Sequence, residues 1–258
     1  MRLRVFGSGS QGNALAVRSG RTLLLVDCGF SCRELERRMA ACGVRANDVT
    51  ALLFTHDHTD HCKGVATFHK RHPQVPLYAN GNTADAIATL TGVEDGWRVF
   101  ETSEPFAIDG IDVASFSIPH DAADTVGYLF SDETSALFVG TDMGVPTLPV
   151  KYALARATCA VLESNHDPTL LACSDRPVSL KQRIAGRCGH LSNQDAADLV
   201  REVAPARLKT LLLAHLSRPC NAPHLALESM RKALTDIGRA DIALAALDQD
   251  EPSDLYEI

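Results

Sequence analysis

Aromatic side chains are scarce in this sequence, with 1 Trp, 4 Tyr and 9 Phe among 258 residues. The core must therefore be built on Leu, Val, Ile and Ala. Long apolar runs are missing too. Stretches such as Leu23–Val26 and Leu211–Ala214 have the length of a strand and cannot cross a bilayer. Met1-Arg2-Leu3-Arg4-Val5-Phe6 runs straight into Gly-Ser-Gly, too short an apolar stretch for a signal peptide. The expectation is a soluble, cytoplasmic protein with no membrane partner. Basic charge is not in excess: 25 Lys and Arg against 32 Asp and Glu leave a net charge of -7. That balance argues against a surface coated for non-specific binding of nucleic acid or membrane, while leaving room for a local basic site. None of the 8 Cys stands in a Cys-x-x-Cys pair, which excludes a zinc ribbon and a dithiol redox motif. Buried, reduced thiols are expected, including Cys28 and Cys62 near the densest cluster of polar residues. No Gly-x-x-x-x-Gly-Lys-Ser/Thr loop occurs, so a nucleotide P-loop is out.

A repeated local plan stands in place of these features: a short apolar strand, then a potential metal ligand at its carboxyl end. Arg2–Phe6 alternates as a first strand and ends in the Gly/Ser loop Gly7–Asn13, whose amides are candidates to hold an anion. Thr22–Val26 ends in Asp27-Cys28-Gly29. Ser31 opens a helix to about Cys42, with Glu34 spaced for a capping box and Gly43 as its stop. Ala51–Phe54 ends in Thr55-His56-Asp57-His58-Thr59-Asp60-His61, and Lys63–Arg71 reads as helix. Leu77–Ala79 is a short strand before a helix from about Thr83 to Leu90. Strands follow at Trp97–Phe100, Ile111–Ile118, Gly127–Phe130, Ser135–Val139 and Cys159–Leu162, the second ending at His120, the fourth before Asp142 and the last at Glu163. Ser192 and Asp195 are spaced as the capping box of a helix to Val203. Lys209–Leu213 leads to His215, a helix runs from about Pro223 to Ile237, and Ile242–Ala246 closes the pattern. The acidic tail, residues 248–257, is expected to fray. No linker or composition break divides the chain, so residues 1–258 are expected to form one domain of the layered α/β class.

Between His56 and His61 stand three imidazoles and two carboxylates. An expression tag would be His alone and terminal, and a solvated loop rarely draws only on ligand residues, so metal binding is the favoured reading. Neutral imidazole suits zinc, manganese and iron, and a carboxylate adds a harder donor. The run His56-x-His58-x-Asp60-His61, with strand-end His120, Asp142 and His215, resembles the metallo-β-lactamase-fold hydrolases over nearly the whole chain. The resemblance implies a four-layer αββα sandwich and two divalent metal ions, Zn or Mn, with Fe admitted by ligand type. It assigns His56, His58 and His120 to one ion and Asp60, His61 and His215 to the other. Asp142 bridges them, and Asp27 supports the ligands by hydrogen bonding. A metal-bridging hydroxide is the implied nucleophile.

Leu162-Glu163-Ser164-Asn165 and Gly189-His190-Leu191-Ser192-Asn193 resemble elements of the phosphodiesterase branch, which includes ribonuclease Z. There His190 protonates the departing oxygen and Glu163 orients it, so His190 and Glu163, with the ligand Asp60, are expected to carry the chemistry. Taken alone, His190 reads equally as a residue of a helix-capping loop. The opening Gly-Ser-Gly-Ser-x-Gly-Asn and the Asp-Cys-Gly element are similar to the YycJ/WalJ-like group of small bacterial metallo-hydrolases. That likeness implies a 5′-to-3′ DNA exonuclease. Ser8, Ser10, Asn13, Arg176, Lys181, Arg183, Arg187 and Asn193 are the candidate contacts to phosphate or nucleic acid. The cluster His69-Lys70-Arg71-His72 is equally open to a role on a solvated helix face. His166 and His224 stay outside the expected ligand set. Two other readings remain open: an acyl or thioester hydrolase of the lactamase or glyoxalase II type, and a non-catalytic metal-binding regulator. The oligomeric state is not legible.

Overall fold

A computed structural model describes all 258 residues. Fourteen strands and nine helices follow in chain order. The first stretch holds β1 (Arg2–Gly7), β2 (Ala14–Ser19), β3 (Thr22–Val26), α1 (Cys32–Ala41), β4 (Ala51–Leu53), α2 (Thr59–Cys62), α3 (Val65–Arg71), β5 (Leu77–Asn80) and α4 (Gly81–Thr91). Next come β6 (Trp97–Phe100), β7 (Phe106–Ile108), β8 (Ile111–Ser117), β9 (Val126–Ser131), β10 (Ala136–Gly140), α5 (Leu148–Leu154), β11 (Cys159–Glu163), α6 (Pro168–Cys173) and α7 (Val178–Ile184). The last are α8 (Asn193–Val203), β12 (Thr210–Ala214), α9 (Pro223–Asp236), β13 (Ala243–Ala246) and β14 (Tyr256–Glu257). The chain resolves into two compact units: Met1–Ser115, Ala122–Val126 and Asp248–Glu257 form the first, and Phe116–Asp121, Gly127–Leu247 and Ile258 the second.

The first unit is built on a mixed sheet ordered β14-β1-β2-β3-β4-β5-β6. Its β1, β2 and β3 are antiparallel neighbours, and β3 to β6 run parallel. A strand buried on both faces reads as an uninterrupted apolar run, and Thr22–Val26 is buried at every position. Leu35 and Met39 of α1, Leu25 of β3, and Val65 and Phe68 of α3 share one core. Because β3 and β4 are parallel with Val26 opposite Leu53, the residues that follow them emerge at the same sheet edge. The second unit repeats the device. Its β13-β12-β11-β10 are parallel, β9 lies antiparallel to β10, and α5, α8 and α9 accompany them. Gly140 pairs with Leu162, and Glu163 with Ala214, so the residues after β10 and β12 stand beside Glu163.

Several expectations change. Ala14–Ser19 is a strand, hidden in the sequence because no turn residue separates it from the Gly/Ser loop before it. The helix expected over Lys63–Arg71 is α3, which starts two residues later at Val65. A separate short α2 precedes it, and the two are parted at Lys63-Gly64, where the carbonyl of Phe30 comes so close to Gly64 that a Cβ would not fit. Ser31 caps α1, but Glu34 turns its carboxylate to Arg37 and Arg38, leaving the capping box half made. Ser192 and Asp195 do complete theirs. The acidic tail is not frayed. Ser253 N donates to Val5 O, Gln249 Nε2 donates to Gly12 O, and Tyr256 pairs in register with Leu3. Arg38, 6% exposed, donates to the carbonyls of Phe6 and Gln249 and so fastens the tail to α1.

Candidate active site

In the first unit the parallel ends of β3 and β4 set the donors. Asp27 leaves β3 in a left-handed conformation, φ 62°. Its carboxylate accepts from Thr55 N at 2.9 Å and Thr55 Oγ1 at 2.9 Å, and lies 2.8 Å from His61 Nδ1. His56 and His61 are fully buried, with ring centroids 4.0 Å apart, and His58 lies 4.8 Å from His56. His58 caps the short α2, which carries Asp60 and His61 in its first turn. The carbonyls of Asp60 and His61 accept from Asn13 N and Cys28 N, which pins this turn to the loops after β1 and β3. Gly29 is required here, since a Cβ would strike the Asp60 carbonyl. Asp57 ties the loop to a neighbouring segment: its Oδ1 accepts from Ala123 N. Cys28 and Cys62 are buried, and burial pushes the Cys62 thiol up to about 12, so both are packing residues. Cys173 and Cys188 depart from the expected burial and are exposed.

In the second unit Asp142 and His215 also sit in the left-handed region, φ 58° and 55°. Ligand atoms of Asp142, Glu163, His190 and His215 all lie within 4.8 Å of one another. Glu163 is wholly buried. One of its oxygens accepts from the amides of Met143 and Leu191, at 2.8 and 3.1 Å. The other lies 2.7 Å from His190 Nδ1 and 3.1 Å from His215 Nδ1. A carboxylate so fully engaged is poorly placed to bind a cation, so within this cluster Glu163 serves the two imidazoles. Burial by itself raises a carboxyl and lowers an imidazolium. The charge and hydrogen bond between them win here, holding Glu163 down to about 2 and lifting His190 above its ordinary 6.5. His190 stays 21% exposed at its side chain, and with Nδ1 held by Glu163 its Nε2 is the ring nitrogen left for other contacts. Gly144 makes this possible, since a Cβ there would lie 2.7 Å from Cys188 N on the approach to His190.

One rule runs through both units: a polar group meets Nδ1 of each buried histidine expected to bind metal. It is Thr55 Oγ1 for His56, Asp27 for His61, the Gly189 carbonyl for His120 and Glu163 for His215. This fixes the ring and turns Nε2 away from that partner, the arrangement of zinc-binding histidines. The donor set, imidazole with Asp60 and Asp142, therefore fits divalent zinc, manganese or iron.

The expected phosphate contacts divide. Ser10 and Arg187 are exposed, and Arg176 and Lys181 half-buried. Arg183 is paired with Asp121. The amides of Ser8, Gly9, Gln11, Gly12 and Asn13 are taken by protein oxygens, so the Gly/Ser loop is not an anion nest. Ser8 is buried. Asn13 is buried against Gly9 and His61 Nε2. Asn193 is buried in a reciprocal amide pair with Asn221 and accepts from Ser164. In the second basic cluster His69 faces Asp95, while Arg71 and His72 face Glu36, so these side chains already have carboxylate partners. The sequence reading missed Asn165 and Asn221, which hold the backbone around Glu163 and His215. Only their place beside Glu163 and Cys220 hinted at this.

A family model described as a Beta-lactamase superfamily domain matches residues 22–216. The Exodeoxyribonuclease YycJ of Bacillus anthracis is 35% identical over 236 residues, covering 91% of this chain and 89% of that protein. A Ribonuclease Z of Mycobacterium sp. is 29% identical over 241 residues, 81% of this chain and 79% of its own. Among solved structures, the metallo-beta-lactamase fold protein YhfI from Bacillus subtilis matches with a TM-score of 0.72 and 16% identity, covering 99% of both chains. The last likeness is one of fold alone.

Proposed function

The chain belongs to the metallo-β-lactamase superfamily of metal-dependent hydrolases, and from that membership we propose that it is a nuclease cleaving DNA from the 5′ end. The observation that carries this reading is the buried Glu163–His190 pair, 2.7 Å apart. An alkoxide leaving from a phosphodiester is strongly basic and gains from a positioned acid, typically by a factor of about 10²–10⁴. His190 supplies the proton from Nε2 to the departing oxygen, and Glu163 keeps Nδ1 protonated and the ring in place. A thioester or β-lactam hydrolase has less need of this pair, which sets the acyl reading second.

We assign His56, His58 and His120 to one divalent cation, Asp60, His61 and His215 to a second, and Asp142 to both, with Zn or Mn the leading metals and Fe admitted. When bound, such ions supply Lewis-acid activation of water and neutralise charge at phosphorus. The protein's part is to hold the imidazoles by their Nδ1 partners and to add the anionic donors Asp60 and Asp142. Ser10, Arg176, Lys181 and Arg187 are proposed to touch the phosphate backbone. The two units, whose chain segments interleave, are proposed to work as one domain in the cytoplasm. No helix is long and apolar enough to cross a membrane.

The test is turnover by the Zn- or Mn-loaded protein of bis(p-nitrophenyl) phosphate, end-labelled duplex DNA, RNA, a thioester and a lactam. DNA shortened from its 5′ end is the expected result. Turnover of the acyl substrates alone ends the nuclease reading, and turnover of RNA in preference to DNA moves it to the ribonucleases.

A further inference from the structure

A cluster of arginines in the first unit has no part in the metal chemistry. Arg2 and Arg4 share one face of β1, because strand side chains alternate. In the antiparallel register Arg2 stands opposite Arg18, and Arg4 opposite Ala16. Phe6, next on that face, lies in the core with Leu35 and Met39 of α1. This is the face that α1 covers, and α1 stops at Ala41, short of the arginines. The turn from Cys42 to Arg45 then walls a cleft of about 550 Å³, with Ala16 and Leu23 also lining it and Val44 and Leu255 adding apolar surface. Leu23 lies near the amino end of β3, whereas Asp27 follows its carboxyl end, so the cleft and the unit's metal donors occupy opposite ends of one strand.

The charges point to an anion. Arg2 is matched by Glu257 and Arg45 by Asp48, each at 2.8 Å. Arg4 donates to the neutral Ser253 carbonyl, and Arg18 makes no ion pair of its own, feeling only the field of Asp48, which Arg45 holds. The cleft therefore carries about two uncompensated positive charges in a chain of net charge -7. Like charges directly across a ladder destabilise it; Glu257 already offsets Arg2, so the charge left for an anion is that of Arg18 with its diagonal neighbour Arg4. Guanidinium forks match phosphate oxygens in pairs and also stack on flat rings. A cleft of this size falls in the range of small-molecule sites, roughly 300–1,000 Å³, and a bare phosphate would leave most of it empty.

We propose that this cleft is a second ligand site, taking a free nucleoside monophosphate with its phosphate on Arg4 and Arg18 and its ring against Val44 and Leu255. The assignment does not rest on the reading of the metal centre. The test is calorimetric titration of the full-length, metal-loaded protein with deoxyadenosine 5′-monophosphate, deoxyadenosine, inorganic phosphate and a 5′-phosphorylated oligonucleotide. The monophosphate is expected to bind more tightly than phosphate or nucleoside. Arg18→Gln should weaken it by about tenfold or more, as loss of a charge-assisted pair does. Without ligand, Arg18→Gln should melt no lower than wild type, since it relieves the like-charge contact. Arg4→Gln, at the second phosphate ligand, should give the same weakening. Equal affinity in wild type and both variants overturns the site. Equal binding of inorganic phosphate, or binding of the oligonucleotide alone, overturns the free-nucleotide assignment. His190→Ala should leave this titration unchanged, so the two readings fail separately.

Discussion

Glu163→Gln changes one atom of a fully engaged carboxylate at the centre of the second unit's cluster. The carboxylate is 0% exposed and meets four groups: the Met143 and Leu191 amides on one oxygen, His190 and His215 on the other. Glutamine can keep its oxygen on the two amides only by turning its NH2 toward the two imidazoles. Each imidazole must then give up its Nδ1 proton and accept. Two charge-assisted bonds become two ordinary ones, a difference of about 1–1.5 kcal/mol each, so stability should fall by about 2–3 kcal/mol. For catalysis the loss is that of a held imidazolium, about 10²- to 10⁴-fold in kcat/KM on DNA. For metal the relevant contact is the 3.1 Å tie to His215, and loss of such an orienting carboxylate weakens metal binding by about 10- to 100-fold.

His190→Ala separates these effects. It removes the acid and leaves His215 tied to Glu163, so activity on DNA should fall as steeply while metal affinity stays within about threefold of wild type. Esters with weakly basic leaving groups, such as bis(p-nitrophenyl) phosphate, should be largely spared. The assays are kcat/KM on end-labelled DNA, metal affinity by chelator competition, and denaturant unfolding. If Glu163→Gln binds metal like wild type, or if His190→Ala loses metal as severely as Glu163→Gln, the division of labour inferred for Glu163 is wrong.

The pH dependence follows from the same pair. Activity should fall as pH rises through the raised His190 value, above its ordinary 6.5, and this alkaline limb should move in Glu163→Gln loaded with the same metal. The pair's contribution to stability should be fullest between the ordinary values of 4.5 and 6.5. It should be lost below as Glu163 protonates toward pH 2 and above as His190 deprotonates, as unfolding at several pH values will show. Asp27→Asn keeps a residue that tolerates φ 62° but turns an amide toward His61, so metal affinity should fall by about 10- to 100-fold with the fold intact. Near-normal affinity by chelator competition would contradict the role given to Asp27. Gly29→Ala should displace the Asp60 turn and cost about 1–3 kcal/mol together with metal binding, and wild-type unfolding would refute the close packing there. Deleting residues 248–258 should take one partner each from Arg38 and the Gly12 carbonyl and lower stability by about 2–4 kcal/mol. An unchanged melting curve would mean the tail is as loose as its acidic composition suggested.

What the sequence made legible was what a short stretch of chain contains. Apolar runs ending in His, Asp or Glu marked β3, β4, β10, β11 and β12 to within a residue or two, because parallel strands buried on both faces leave that signature. His56 through His61 stood out for the same local reason. Features set by distant partners were hidden. β7 is three residues long and exists through its pairing with β8. Residues 248–257 look disordered by composition, yet Arg38, some 211 positions away, gives Gln249 a buried donor. Asn13 and Asn193 look like phosphate readers on a loop and turn out to be internal ties. The second task of Glu163, holding His215, required β11 and β12 to be neighbours in register.

Backbone geometry adds an argument that side chains alone cannot make. Asp27, Asp142 and His215 all have φ between 55° and 62°. A left-handed residue other than glycine costs about 1–2 kcal/mol, so the three together cost about 3–6 kcal/mol. Glycine would remove that cost at each position, and glycine serves this chain freely elsewhere, as at Gly43 and Gly92. The strain is instead held in place: Asp27 N donates to Leu53 O, and Asn165 Nδ2 donates to the carbonyl of His215. A left-handed aspartate can also serve a turn alone, as Asp109 does between β7 and β8, but the carboxylate of Asp27 and the imidazole of His215 are buried against other polar groups of their cluster. These ends keep a donor where it is costly, and the sharp turn aims that donor back across the strand edge rather than onward with the chain. This strain is a further reason for the roles proposed for Asp27, Asp142 and His215.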